Sequence, residues 1–273
     1  YDYQSGKRIE YSVLEVPIEG YTPIYNGYNI TNTNRPNFEN VVIHKTDITG
    51  KNEVEGATLK VTSLDGKSTF DEWVSGKDPH EIPLTPGDYI LTETNAPDGY
   101  AYAEDIKFTV KINGVVTIND EEVEKFAMKD DVTKVSISKK DITDGKLIDG
   151  AKLEIRDKDG ELVDSWTSKE GEEHYIEGKL IAGEKYTLIE TQSPKGYAIA
   201  EKVEFTVNKD GSITKVEMID DYTKVSISKK DITDSKLIDG AELEIRDKDG
   251  KLVDKWTSKE GEEHYIEGKL IAG

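Results

Sequence analysis

The sequence predicts an all-β chain of tandem Greek-key antiparallel β-sandwiches, Ig-like in outline and arranged as a rod. Three observations predict it. Apolar and polar residues alternate with period two between turn residues, and no strong helical stretch interrupts them. Residues 133–183 recur as 223–273 with four differences, at Gly145/Ser235, Lys152/Glu242, Glu161/Lys251 and Ser165/Lys255, and a more divergent copy starts near Val41. The offset of 90 residues is the size of a small domain, too long for a solenoid repeat.

The elements follow in order along the second full copy. Val135, Ile137 and Lys139 point to one side of the first strand, and Leu153 and Ile155 follow the turn at Asp149-Gly150. RDKDGEL reads as a hairpin turn in which Gly160 takes positive φ. The strands 162–166, 174–176 and 185–190 come next, then the breaker Ser193-Pro194-Lys195-Gly196-Tyr197. Residues 203–207 and 213–220 close the copy around the turn 208–211, giving about seven short strands, the pattern of a sandwich. The expected division is 1–34, the end of one domain; 35–40 (RPNFEN), a linker; 41–131 and 132–221, two full domains; and 222–273, the start of another. MKDDVTKVSI and MIDDYTKVSI run from one copy into the next almost without a linker, which predicts limited hinge motion.

Composition narrows the classes of function. The formal net charge is −20, which repels nucleic-acid phosphates and anionic lipid, so no nucleic-acid partner is expected. No run of 18 apolar residues is present, so no membrane span is expected in this stretch. There is no cysteine, which fits either the cytosol or a secreted protein held by another staple.

Three positions recur in each full copy. A lysine lies near the end of the first strand on its apolar side: Lys45 in VVIHKTD and Lys139 in VSISKKD. A glutamate ends an apolar strand before a Pro-x-Gly-Tyr turn: Glu93 in YILTETNAPDGY and Glu190 in YTLIETQSPKGY. An aspartate ends the last strand, and alternation from Met128 and Met218 selects Asp130 and Asp220 over Asp131 and Asp221 unless a bulge intervenes.

The series GA-K-L-E-I, Y-x-L-x-E-T-x-x-P-x-G-Y and V-x-M-x-D-D resembles the Cna B-type, SpaA-like repeats of Gram-positive adhesins and pilins. The opening GKRIEYSVLEVPIEGY…GYNITNT resembles the end of such a repeat, with Glu15 and Asn32 at the corresponding places. The resemblance implies a prealbumin-like sandwich in which lysine and Asn or Asp join as an isopeptide, assisted by Glu or Asp. It thereby implies Lys45 with Asp130 under Glu93, and Lys139 with Asp220 under Glu190. Asn32 and Lys229 would have partners outside this chain. Burial disfavours the charged forms of amine and acid, and folding holds them together at effective molarities of roughly 10⁵ M or more. The competing expectation is a buried ion network with no covalent bond, or side chains partly solvated at the rim.

Other candidates point to structure. DKDG at 157–160 and 247–250 lacks the spacing of a calcium loop, and His80, His174 and His264, one per copy beside Trp73, Trp166 or Trp256, read as strand histidines, so no metal is expected. The tyrosines of 21–28 are expected to pack a loop rather than bind a ligand. No cofactor and no enzyme activity beyond single-turnover self-crosslinking is expected. The resulting expectation is a stalk of an extracellular, cell-wall-associated adhesin or pilus-like protein. A host-matrix ligand would be met by a head domain elsewhere, and peptidoglycan anchoring would lie beyond this stretch. A ligand-binding module and a non-catalytic appendage of a secreted enzyme are the alternatives.

Overall fold

A computed structural model describes residues 3–4, 7–8, 11–16, 18, 21–34, 38–112 and 114–271. Every regular element among them is a β-strand. The chain divides into two compact units, 1–97 with 102–131, and 98–101 with 132–273.

In the first unit, the strands Glu39–Asp47, His80–Leu84 and Ala127–Asp130 form one sheet, with Glu39–Asp47 central. The facing sheet runs 121–122, 116–118, 106–110, 87–95, 58–63 and 69–74 in spatial order. Inward-facing residues alternate along these strands, and Val41, Ile43, Leu59, Val61, Leu91, Phe108 and Met128 build the core between them. The second unit repeats the plan in its residues 132–221, where the seven strands are close to the ranges read from the sequence. His174–Glu177, Lys134–Asp141 and Thr214–Asp220 make one sheet. Leu162–Thr167, Lys152–Arg156, Lys185–Gln192 and Val203–Thr206 make the other.

One ladder departs from the antiparallel rule. In both full copies the first and last strands pair in parallel, with Lys45 opposite Met128 and Lys139 opposite Met218. Sequence alternation assigns faces to strands and leaves their relative direction open; the Greek-key path brings the last strand back beside the first in the same sense. Ser136 and Ser138, which alternation would turn to solvent, are buried because both hydroxyls donate to Glu173.

The hairpin reading of RDKDGEL holds: Gly160 has φ 83°, and Asp157 Oδ1 accepts the amides of Asp159 and Glu161. The tyrosine-rich stretch differs from expectation. It is a hairpin, Tyr21–Asn26 against Asn29–Asn34, and Tyr21, Tyr25 and Tyr28 are exposed on it, since a two-stranded ribbon has no facing sheet to cover its aromatic rings. Within the second unit, residues 222–271 supply two further strand pairs, 224–227 with 264–267 and 242–246 with 252–257. Gly196, at φ 92°, packs so closely on Gly268 that an added Cβ would lie 2.4 Å from its carbonyl oxygen. Beside this contact the hydroxyls of Tyr197 and Tyr222 both donate to Asp141 Oδ2, at 2.5 and 2.7 Å.

Candidate functional site

The parallel ladder sets the geometry of the site. Two positions along a strand advance about 6.6 Å and return to the same face. A lysine side chain is long enough to cross that diagonal, so Lys139, opposite Met218, reaches Asp220, and Lys45, opposite Met128, reaches Asp130. In each case Nζ contacts Oδ1 of the aspartate. Alternation pointed to Asp130 and Asp220, and these are buried, at 1% and 0% exposed.

The glutamates arrive from the facing sheet. Glu93 lies opposite Leu59 and Glu190 opposite Leu153, and in both copies the register shifts next to that pair. A bulge re-aims side chains at the place where it falls. Glu93 Oε1 lies 2.9 Å from Lys45 Nζ, and Glu190 Oε1 lies 3.0 Å from Lys139 Nζ. The other carboxylate oxygen is tethered: Glu93 Oε2 accepts the Ala103 amide and Glu190 Oε2 the Ala200 amide, each at 2.7 Å. These two amides escaped the sequence reading. Their signal was present in the recurring GYAYAE (99–104) and GYAIAE (196–201).

The three charged side chains of each centre are buried at the end of an apolar core. Burial is the largest influence on Asp130 and raises its pKa to about 7, with Lys45 pulling it down and Glu93 pushing it up. Asp220 is raised to about 6 for the same reason, with Lys139 opposing and Glu190 reinforcing. Oδ2 of each aspartate has no hydrogen-bond partner in the protein. Each centre therefore places an amine against a carboxyl whose neutral form is favoured, with a second carboxyl in reach of the amine. Such an arrangement can pass a proton among the three groups and can condense amine with acid.

The other candidate residues fall as follows. Asn32 Nδ2 donates to Glu15 Oε1 at 3.0 Å, so the opening segment brings its two residues together, in an exposed setting. Lys229 is exposed. The histidines do lie beside the tryptophans, stacked at ring-centroid distances of 4.2 Å for Trp73–His80, 4.0 Å for Trp166–His174 and 4.2 Å for Trp256–His264. An aspartate two residues before each tryptophan, which the sequence reading passed over, holds the histidine Nε2: Asp71 at 2.8 Å, Asp164 at 2.9 Å and Asp254 at 2.8 Å. Asp164 and Asp254 also accept from Lys179 and Lys269. No group of three or more metal-ligating side chains occurs among the described residues.

Fold and site together define a class: tandem β-sandwich domains, each with a buried Lys–Glu–Asp centre linking its first strand, its last strand and the opposite sheet. The chain belongs to the SpaA family of prealbumin-like fold domains, whose family model matches residues 39–122 and 133–222. Over 70 residues it is 39% identical to the pilus tip adhesin Cpa of Streptococcus pyogenes, a match covering 25% of this chain and 10% of that protein. Among solved structures, the Bacillus anthracis TIE protein is 25% identical, with a TM-score of 0.42, over 84% of this chain and 43% of that one. The shaft pilin SpaA from Lactobacillus rhamnosus GG is 17% identical, with a TM-score of 0.30, over 67% of this chain and 97% of that one. The chain thus spans about a tenth of the curated relative it matches and less than half of the TIE protein.

Proposed function

We propose that this chain is a stalk region of an extracellular, cell-wall-associated adhesin or pilus-like protein, and that its two full domains staple themselves with Lys–Asp isopeptide bonds. The observation that carries the reading is the same buried centre built twice on divergent sequences: Lys45–Glu93–Asp130 and Lys139–Glu190–Asp220. The family membership and the pilus adhesin among the relatives support the surface role. No helix among the described residues is long and apolar enough to cross a membrane.

The chemistry is one condensation per domain. A proton passes from the lysine ammonium to the carboxyl pair, leaving a neutral amine in contact with a neutral aspartic acid. The amine attacks the aspartyl carbon, a C–N bond forms, one C–O bond breaks, and the oxygen leaves as water. Glutamate Oε1 takes the amine proton and returns it to the departing hydroxyl, while the Ala103 or Ala200 amide fixes the carboxyl's orientation. The partnerless Asp Oδ2 is the oxygen with no interaction to lose.

The test is the intact mass of the chain beside a Glu93→Ala/Glu190→Ala variant. A deficit of two waters, absent from the variant, is the expected result; full mass in the unaltered chain would sink the proposal and leave two buried ion networks.

A further inference from the structure

We propose that the Trp–His–Asp clasp on the edge of each sandwich is the seal that keeps water from the lysine, and so acts as a positioning device for the crosslink. The inference rests on the crosslinking reading above. It starts from register. Trp166 lies opposite Leu153, which lies opposite Glu190, so the indole and the glutamate occupy one cross-strand row on the inner face of one sheet. His174 lies opposite Ile137, two residues before Lys139, on the other sheet. The stack of Trp166 on His174 therefore bridges the two sheets at their open edge, level with the reacting groups. The first full copy repeats each pairing: Trp73 with Leu59 and Glu93, His80 with Ile43 two residues before Lys45.

The clasp is held on two sides. The indole covers one face of the imidazole, with planes only 8° apart, and Asp164 Oδ2 fixes Nε2 from the same strand as the tryptophan. Tryptophan and aspartate thus grip across the gap a histidine that belongs to the opposite sheet. The third copy keeps the clasp at Trp256, His264 and Asp254, although Lys229 is exposed there. The clasp is therefore not a by-product of the buried centre.

Its position matters because a groove reaches the lysine on this edge. A groove of about 410 Å³ is lined by Trp166, Ser168, Glu173, His174 and Ile137 and touches Lys139. The lysine side chain is nevertheless only 2% exposed. Hydration of that amine would favour the ammonium–carboxylate pair over the neutral pair that condenses. Trp166 and His174 line the groove that touches Lys139, which makes the clasp the barrier on that side.

The experiment uses the full chain with Trp166→Ala, Trp166→Phe or His174→Leu. Water loss at Lys139–Asp220 is timed by peptide mapping, with Lys45–Asp130 as the internal reference. In parallel, each change is placed on Asp220→Ala, which leaves the amine free, and Lys139 is probed by reductive methylation with formaldehyde. Trp166→Ala and His174→Leu are expected to slow water loss at least tenfold at Lys139 alone and to raise Lys139 methylation by a similar factor. Trp166→Phe, which keeps an aromatic face on His174, is expected to restore both. The His174→Leu chain guards against a Trp166→Ala chain that fails to fold. Unaltered crosslinking, or methylation no greater than in the Asp220→Ala parent, overturns the proposal. If the unaltered chain loses no water at all, the crosslinking reading fails separately, and the methylation arm alone decides whether the clasp is a seal.

Discussion

Lys139 and Asp220 meet across an offset of two positions: the lysine stands opposite Met218 in the parallel ladder, and its amine contacts the carboxyl of the next residue on that face. The neighbouring Asp221 pairs instead with the exposed Lys224, at 2.7 Å. Asp220→Ala is therefore expected to abolish the water deficit of residues 132–221, and Asp221→Ala to leave it intact. Intact-mass measurement of the two variants checks this, and a deficit that survives in Asp220→Ala would mean the register is misassigned.

The raised aspartates give the reaction an acid limit. Burial keeps a proton on Asp130 up to about pH 7 and on Asp220 up to about pH 6. The condensing state forms when the ammonium proton passes to an ionised aspartate, so below those values the lysine loses that acceptor and crosslinking slows. Refolding newly made chain at a series of pH values, followed by mass mapping, is expected to show crosslinking in both domains slowing as the pH falls. A rate that rises as the pH falls would contradict the mechanism.

The amides that tether the glutamates should matter to the rate. Ala200→Pro removes the N–H that holds Glu190 Oε2, a hydrogen bond to a charged group worth about 1.5–3 kcal/mol. Crosslinking of 132–221 is expected to slow by roughly ten- to a hundredfold at equal folding, while 41–131, with Ala103 intact, keeps its rate. Equal rates in both domains would show the tether to be idle.

Blocking the bond should lower stability and change its response to pH. Glu190→Gln keeps the volume of the side chain and removes the proton shuttle. The lost crosslink closes 81 residues and is worth about 4 kcal/mol on a chain-entropy account, or roughly 16–32 °C in Tm for a domain of this size. In this open form Asp220 has a folded pKa above its unfolded value, chiefly through burial. Its contribution to stability is fully present below the unfolded value near 3.8 and is lost as pH rises through the folded value, which burial still raises. Thermal melts of Glu190→Gln between pH 4 and 7 are expected to fall with rising pH; a melt that rises over that range would reverse the assignment.

Much of this was legible in the sequence because period-two alternation and an internal repeat constrain each other. Lys139, Glu190 and Asp220 each stand on the apolar face of a strand, and Lys45, Glu93 and Asp130 do so on a divergent copy, so their recurrence singled them out. The parallel pairing was not legible, because alternation is the same in either direction. The amides of Ala103 and Ala200 went unread although the recurring GYAYAE and GYAIAE mark their place, because a backbone donor is not named by a residue type. Asp164 was not legible, because its partner His174 lies on another strand of the other sheet. The exposed tyrosines of 21–28 show the limit of reading aromatic content as packing: composition does not say whether a second sheet lies opposite.

The parallel pairing of first and last strands bears on reach. A chain drawn out from both ends gains about 3.3–3.6 Å for each residue released from its fold. A bond from Lys139 to Asp220 would withhold the 81-residue stretch between them, roughly 270–290 Å of contour length, however far the rest of the domain came apart. Such a stretch would give almost no slack under tension, and the distance it spans would stay nearly constant from rest to rupture.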